Sequence, residues 1–427
     1  MKRTLKTPGT TLRKGLSILL ALVLCLGALT AVAEGGKEEL VMWGGWSGDS
    51  IAQFTEMLDA YNAAQDKVHI TYQYVDGLEQ KLLTSIAGGE TCDVVLWDRF
   101  NTSTYAPKGA LLPLDEMVAA DGVDLATFFA PTVDELVYDG KLYGLPTMVD
   151  TRVLFCNIDL LNEAGIDYQQ ITTWEKLEEA AIAATKRDAE GKLEQSGYVM
   201  NDLGLFSAYL WQAGGELINN ETDPATTAFN SEAGLAALNF INRLQNEDGV
   251  YEVGFNEAYN GQAFIAGKAA MMVSGPWDLN NVLNAGINLG IIPCPAGAGG
   301  YASGLGGFGL AIPALSAHPR EAMDFIEWWA CDAENSVLFT KINGYLPANV
   351  HAAEDPFIKD NPYLTALFDA FQYGRIRPKT LGYASMEGLA MTPQWQLFMN
   401  GEITAEQALA TAEQQGNALL AEAAMDY

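Results

Sequence analysis

Apolar residues fall along this chain in two alternating rhythms, one strand-like and the other recurring every three to four residues. Strand and helix periods taking turns in this way are the mark of an α/β architecture. Residues 39–43 predict a first strand, and after Gly48 the residues Ile51, Phe54, Leu58 and Tyr61 share one face of a helix. Val68, Ile70, Tyr72 and Tyr74 alternate as a strand should, 81–86 predicts a helix stopped by Gly88-Gly89, and 93–97 a short buried strand. A second block opens near Thr151 with a strand over 152–157, and Thr172-Thr173-Trp174-Glu175 is a capping box that starts a long helix. Residues 203–213 predict a helix ending at Gly214-Gly215, and Ser231 caps the next one. A Gly-rich stretch at 296–309 interrupts this order before a strand at 310–313, a helix at 319–330 and a capped amphipathic helix at 404–424. No internal repeat or low-complexity linker breaks the pattern.

The most informative stretch is 262–278, QAFIAGKAAMMVSGPWD. A helical run ends in Gly267-Lys268, a short apolar strand follows at 270–273, and Gly275-Pro276 turns the chain sharply. Trp277 is thereby left at the carboxyl end of a strand, where open α/β sheets form their ligand crevices. An indole there offers a flat apolar face and one N–H donor, which suits the C–H face and hydroxyls of a sugar ring. Packing beneath a loop is the other reading of the same tryptophan.

This helix–strand–GPW segment resembles the extracellular solute-binding proteins that serve sugar ABC transporters, the maltose-binding-protein-like family. Further motifs fall in the family's order: Tyr143-Gly144-Leu145-Pro146, then LFCNIDLLNEAGI at 154–166, TTWEKL at 172–177, Gly214-Gly215, and Gly344-Tyr345-Leu346-Pro347. Cys156 and Ile158 depart from the family's usual Tyr and Lys. The resemblance implies a type II periplasmic-binding-protein fold of two α/β lobes, each built from non-contiguous segments, with a ligand cleft between them. It implies a first lobe of 34–149 plus 308–371 and a second of 150–307 plus 372–427.

The start of the chain changes the picture of where such a protein works. Lys2, Arg3, Lys6, Arg13 and Lys14 precede an apolar run at 16–29, and Ala31-Val32-Ala33 fits a signal peptidase site, so 1–33 is read as a signal peptide cleaved after Ala33. Cys25 offers lipid attachment as an alternative, against which Leu24 stands where a small residue is expected. No later run is long enough to span a bilayer. The formal charge is −30, and losing five basic residues leaves −35. Such a surface repels nucleic acid and anionic membranes, and keeps an exported protein soluble. Cys92, Cys156, Cys294 and Cys331 are far apart, without zinc-knuckle spacing, and burial as free thiols or one disulfide are both open. His69, His318 and His351 are isolated, so no metal site is expected.

Rigid sugars are held by planar polar groups on hydroxyl pairs and by aromatic faces on C–H patches. Trp97-Asp98-Arg99-Phe100 follows a strand and resembles the Asp-Arg-Phe that the maltose-binding protein sets on a glucosyl unit; the resemblance gives Asp98 and Arg99 a ligand role. Asp150, four residues after Pro146, matches an acidic ligand residue of the family. In Trp43-Gly44-Gly45-Trp46-Ser47 the glycines let a ligand approach the backbone, with Trp46 the stronger candidate and Ser47 beside it. Asp202, Tyr345 and the loop 383–387 with Glu387 are further candidates, and an aromatic that the family places near Glu387 or Gly388 is missing, which counts against a maltodextrin ligand. Gly304-x-Gly306-x-x-Gly309 matches a dinucleotide fingerprint by letters but precedes a strand instead of a helix. No P-loop, nucleophile elbow or HExxH occurs. The expectation is therefore a monomeric sugar receptor for an ABC importer permease, without catalysis or cofactor. A carbohydrate-active enzyme, or the same fold holding a polyamine or peptide, are the alternatives.

Overall fold

Strand Glu38–Gly44 buries Leu40 and Met42 while its other face is partly exposed, whereas Val94–Asp98 is buried along nearly its whole length. A strand buried on both sides belongs in the middle of a covered sheet. In the computed structural model, which describes residues 37–200, 203–255 and 260–425, it holds that place. The sheet runs Val68–Tyr74, Glu38–Gly44, Val94–Asp98, Phe308–Ala311, Leu145–Pro146. The first three strands are parallel and the last two pair antiparallel. Helix Asp49–Ala64 lays Phe54, Met57, Leu58 and Tyr61 against the core. Ile51, expected on the same face, is 38% exposed, because the face that meets the core begins one turn later. Helix Pro319–Ala330 adds Met323, Phe325, Ile326 and Trp329 to this first core.

A second core forms around the antiparallel strands Met271–Ser274, Val153–Asn157 and Leu289–Pro293. Its helices begin where the sequence signals them: the Thr173 hydroxyl accepts from Lys176 N at the head of Trp174–Ala184, and Ser231 accepts from Gly234 N at the head of Glu232–Asn242. Each such cap satisfies a backbone donor that the helix cannot, and contributes about 1 kcal/mol. Helices Leu203–Gln212 and Ala405–Met425 complete this layer.

Between the cores the chain crosses in extended strands. Met148–Thr151 and Ser303–Gly306 run antiparallel, with Leu346–Pro347 paired on one side and Gly374–Arg375 on the other. Residues 346–371 were assigned to the first lobe, yet Leu346, Ala352, Ile358, Leu364, Leu367 and Ala370 all lie in the second core. The return crossing is therefore made at Tyr345–Leu346, before helix Pro362–Asp369, whose apolar face then covers strand Leu289–Pro293.

Two further expectations concern single residues. The thiols of Cys92, Cys156 and Cys294 are buried, that of Cys331 is partly exposed, and all four are free. His318 is not isolated in space: its ring lies 2.9 Å from Asp93 and 3.0 Å from Glu38, so it ties two strand starts to helix Pro319–Ala330. The leader segment 1–33, with its cleavage site and Cys25, lies outside the described residues, as does Asp202. Among the described residues no helix is long and apolar enough to cross a membrane.

Candidate ligand-binding site

The carboxyl end of strand Met271–Ser274 delivers Trp277 as the sequence predicts. Pro276 occupies the first turn of helix Pro276–Asn284, where its missing N–H and fixed φ cost nothing. Gly275 is required for the indole's position: a Cβ there would come within 2.4 Å of the Trp277 ring and 2.8 Å of the Thr151 carbonyl. Trp277 is rooted in the second lobe but packs against the first core. Its ring centre lies 6.4 Å from Tyr345, which in turn lies 5.0 Å from Trp46. These three rings form a continuous aromatic wall between the lobes. Trp46 is steadied by Phe54 and Phe308 at 5.4 and 4.9 Å. Its backbone is clasped by one hydroxyl, since Tyr72 Oη accepts from Trp46 N at 3.1 Å and donates to Trp46 O at 2.8 Å. Ser47 is exposed at the rim of this loop.

Two carboxylates lie close enough to the central ring, Tyr345, to act on its charge. Asp98 ends the central strand, and Asp150 lies on the crossing strand opposite Gly306. Burial is the main force on Asp98, and with repulsion from Asp150 and Glu135 it lifts the carboxyl to about 7, although Arg377 and Arg99 pull the other way. Burial also holds the Tyr345 phenol well above its ordinary value, with Asp150 and Asp98 adding to the effect. Tyr345 therefore stays a neutral donor. Arg152 reaches Asp150 at 3.8 Å and lies 5.4 Å from the centre of the Trp277 ring.

Arg99 does not join them. Its side chain is fully buried: Nε donates to Glu135 at 3.0 Å, Nη1 to the carbonyls of Met148 and Phe308 at 2.6 and 3.2 Å, and Nη2 to the Gly306 carbonyl at 2.6 Å. The expected ligand role is corrected to a structural one, because each guanidinium nitrogen already has a protein acceptor. Gly307, at φ +127°, makes room for this arrangement; a Cβ would approach Met148 O to 2.4 Å.

Around Glu387, which the sequence named, the second lobe and the crossing strands gather residues that sequence reasoning missed. Glu387 pairs with Arg377 at 3.3 Å, and both line a cavity with Arg152, Ser207, Trp211 and Arg375. It encloses ≈ 380 Å³ of empty space, part of it open to solvent. Arg375 lies 5.0 Å from the Trp211 ring centre, and Arg377 lies 4.3 Å from that of Phe100. The alternation of Arg375, Arg377 and Lys379 in a chain with 24 basic residues against 54 acidic ones was the available signal. No group of three or more His, Cys, Asp or Glu side chains among the described residues could hold a metal.

The family model for "Bacterial extracellular solute-binding protein" matches residues 45–335, which include the crossing strands Met148–Thr151 and Ser303–Gly306. The chain belongs to that family. Solute-binding proteins similar to it include the maltotriose-binding protein of Pyrococcus abyssi, 26% identical over 362 residues, which are 82% of this chain and 75% of that one. The structure of CpMnBP1 with mannotriose bound superposes with a TM-score of 0.79 at 28% identity, over 89% of this chain and 100% of the other. The GacH receptor of Streptomyces glaucescens, solved unliganded and with acarbose, gives 0.78 at 25% identity, over 91% and 100%.

Proposed function

We propose that this solute-binding protein is an exported sugar receptor of an ABC importer, with no chemistry of its own. The observation that carries the reading is the aromatic series Trp46–Tyr345–Trp277, with the Asp98 and Asp150 carboxylates acting on its central ring. Aromatic faces cover the C–H patches of a pyranose, while carboxylates and guanidinium groups accept from and donate to its hydroxyls. The relative named for maltotriose binding and the structures that hold mannotriose and acarbose support the same class. The lobes are those of the two cores, residues up to about 148 with 308–345, and 153–302 with 346–425. A mono- or oligosaccharide docks on one, and rotation about the crossing strands encloses it for presentation, by a monomer, to the permease.

A ligand bound only by the folded protein raises stability by RT ln(1 + [L]/Kd), about 2.7 kcal/mol at 100 times Kd. A melting screen with maltotriose, mannotriose, monosaccharides, polyamines and peptides should therefore shift with at least one sugar. A shift with a polyamine and with no sugar would overturn the assignment, and new reducing ends after incubation with an oligosaccharide would show an enzyme instead.

A further inference from the structure

Arg152 directly follows the crossing strand Met148–Thr151 and is rooted on the other one, Ser303–Gly306. Its backbone N donates to the Gly304 carbonyl at 3.3 Å, and its carbonyl accepts from the Ser303 hydroxyl at 2.5 Å. Residues two apart share one face of a strand, so Asp150 and Arg152 project together over Gly306 and Gly304. A Cβ at Gly304 would stand 3.0 Å from the Arg152 guanidinium, and one at Gly306 3.2 Å from the Asp150 carboxylate. These two glycines, which match a dinucleotide fingerprint by letters alone, leave the room in which the pair lies. The guanidinium reaches Asp150 at 3.8 Å and sits over the Trp277 ring, 5.4 Å from its centre. One edge of that ring, Cζ3 and Cη2, is set against Gly275, and Tyr345 stands 6.4 Å away at a tilt of 42°.

We propose that Arg152 is a positioning residue for sugar recognition, which holds the plane of the Trp277 indole ready for a pyranose while Asp150 keeps the guanidinium in place. This inference rests on the sugar-receptor reading. A stacking platform serves a sugar in one orientation only, and a side chain that must be ordered on association costs affinity. A guanidinium is planar, so it covers an indole face and still turns an edge to a carboxylate, whereas an ammonium is a compact point charge that cannot do both. Only 16% of the Arg152 side chain is exposed, so it lies along the crossing strands instead of reaching into solvent. Trp277 is rooted in the second lobe, at the head of helix Pro276–Asn284. Contact with Arg152 therefore refers the orientation of the platform to the strands about which the lobes turn. Arg152 also borders the cavity beside Trp211 and Arg375, which makes direct donation to a sugar hydroxyl the competing role.

A double-mutant cycle separates the two roles. Calorimetry with maltotriose, mannotriose and the monosaccharides of the melting screen finds the sugar that binds, and its affinity is then measured for Arg152→Met, Trp277→Ala and the double variant. Arg152→Met keeps an apolar stem and removes the planar charge, and should weaken binding by roughly threefold to tenfold. The double variant should bind within about twofold of Trp277→Ala alone, because the effects of residues that act through one another do not add. Arg152→Lys should not restore the parent affinity. A second readout needs no ligand: in ¹⁵N-tryptophan NMR the Trp277 indole N–H signal, identified by its loss in Trp277→Ala, should move in Arg152→Met. Circular dichroism controls for folding, and Arg152→Gln carries the test if the methionine variant does not fold. Unchanged affinity in Arg152→Met, full rescue by lysine, an unmoved indole signal or additive losses in the double variant each overturn the inference, the last by marking Arg152 as a contributor independent of the indole. A sugar that still binds in those cases leaves the receptor reading standing. If no sugar binds the parent, the receptor reading falls, and with it the role given to Arg152.

Discussion

Arg99 and Arg377 both stand at the turn that follows Asp98, and their surroundings differ in how completely the protein uses them. Arg99 has no exposed surface, and its donors end on Glu135 and on carbonyls from both crossing strands. Arg377 keeps 28% of its side chain exposed and pairs with Glu387 at 3.3 Å. Burial works against the charge of Arg377, yet Glu387, Asp98 and Asp150 outweigh it and hold the group above its ordinary range. A guanidinium whose donors are all matched inside the fold specifies the frame and has nothing left for a solute. One that still faces the cleft can take part in recognition. Charge beside charge in a sequence therefore says little until the acceptors are located.

The largest effect expected from this contrast is on stability. Arg99→Met leaves the buried Glu135 carboxylate without its partner, and breaking a buried pair from one side costs about 3–5 kcal/mol. Urea unfolding should show that loss for Arg99→Met and a much smaller one, about 1 kcal/mol, for Arg377→Met. Equal losses would break the comparison.

A middle-sized effect separates frame from site in the opposite direction. Trp277→Ala should leave the fold intact and weaken every pyranose the protein binds by roughly tenfold, about 1.4 kcal/mol, with selectivity among them little changed. Calorimetric titration of two epimeric sugars checks this, and unfolding of the variant would place the indole with Arg99 as part of the frame.

The smallest effect belongs to a charge of intermediate exposure. The His318 ring is held by Asp93, whose hydrogen bond is the largest influence raising its pKa, with the charges of Asp93, Glu38 and Glu321 adding to it. A histidine raised in the folded state stabilises fully below its unfolded value, near 6.5, and loses that contribution as pH rises through the folded value. The melting difference between the parent and His318→Gln should thus be larger near pH 5.5 than near pH 9, and below about 1 kcal/mol. A difference that grows with pH would refute the assignment.

Periodicity made much of the fold legible. Helix Pro319–Ala330 and the Thr173 and Ser231 caps fall where apolar spacing and hydroxyl side chains put them, because these are local effects. Trp277 was legible for the same reason, a strand followed at once by Gly-Pro. Arg99 was not: its acceptors at Met148, Gly306 and Phe308 lie 49, 207 and 209 residues away, and no local pattern announces a carbonyl. Glu135 carries no motif either. The packing of residues 346–371 has a similar cause, since they read as ordinary helices and only contact with strand Leu289–Pro293 shows which core they join. Ile51 failed on a finer point, because helical spacing gives the face but not the turn at which that face first meets the sheet.

The single Tyr72 hydroxyl that both donates to and accepts from the backbone of Trp46 has a consequence for kinetics. Its burial raises that phenol to about 12, so the hydroxyl keeps its proton throughout the range in which the protein is used. The backbone that bears the Trp46 ring is therefore already tied down when a solute arrives. Ordering a side chain at the moment of association costs about 0.5–1.5 kcal/mol, and a platform fixed in advance removes that barrier from the encounter. Capture on the Trp46 side of the wall should then proceed at a rate set by diffusion and orientation, leaving the slower lobe rotation to decide how long the solute stays.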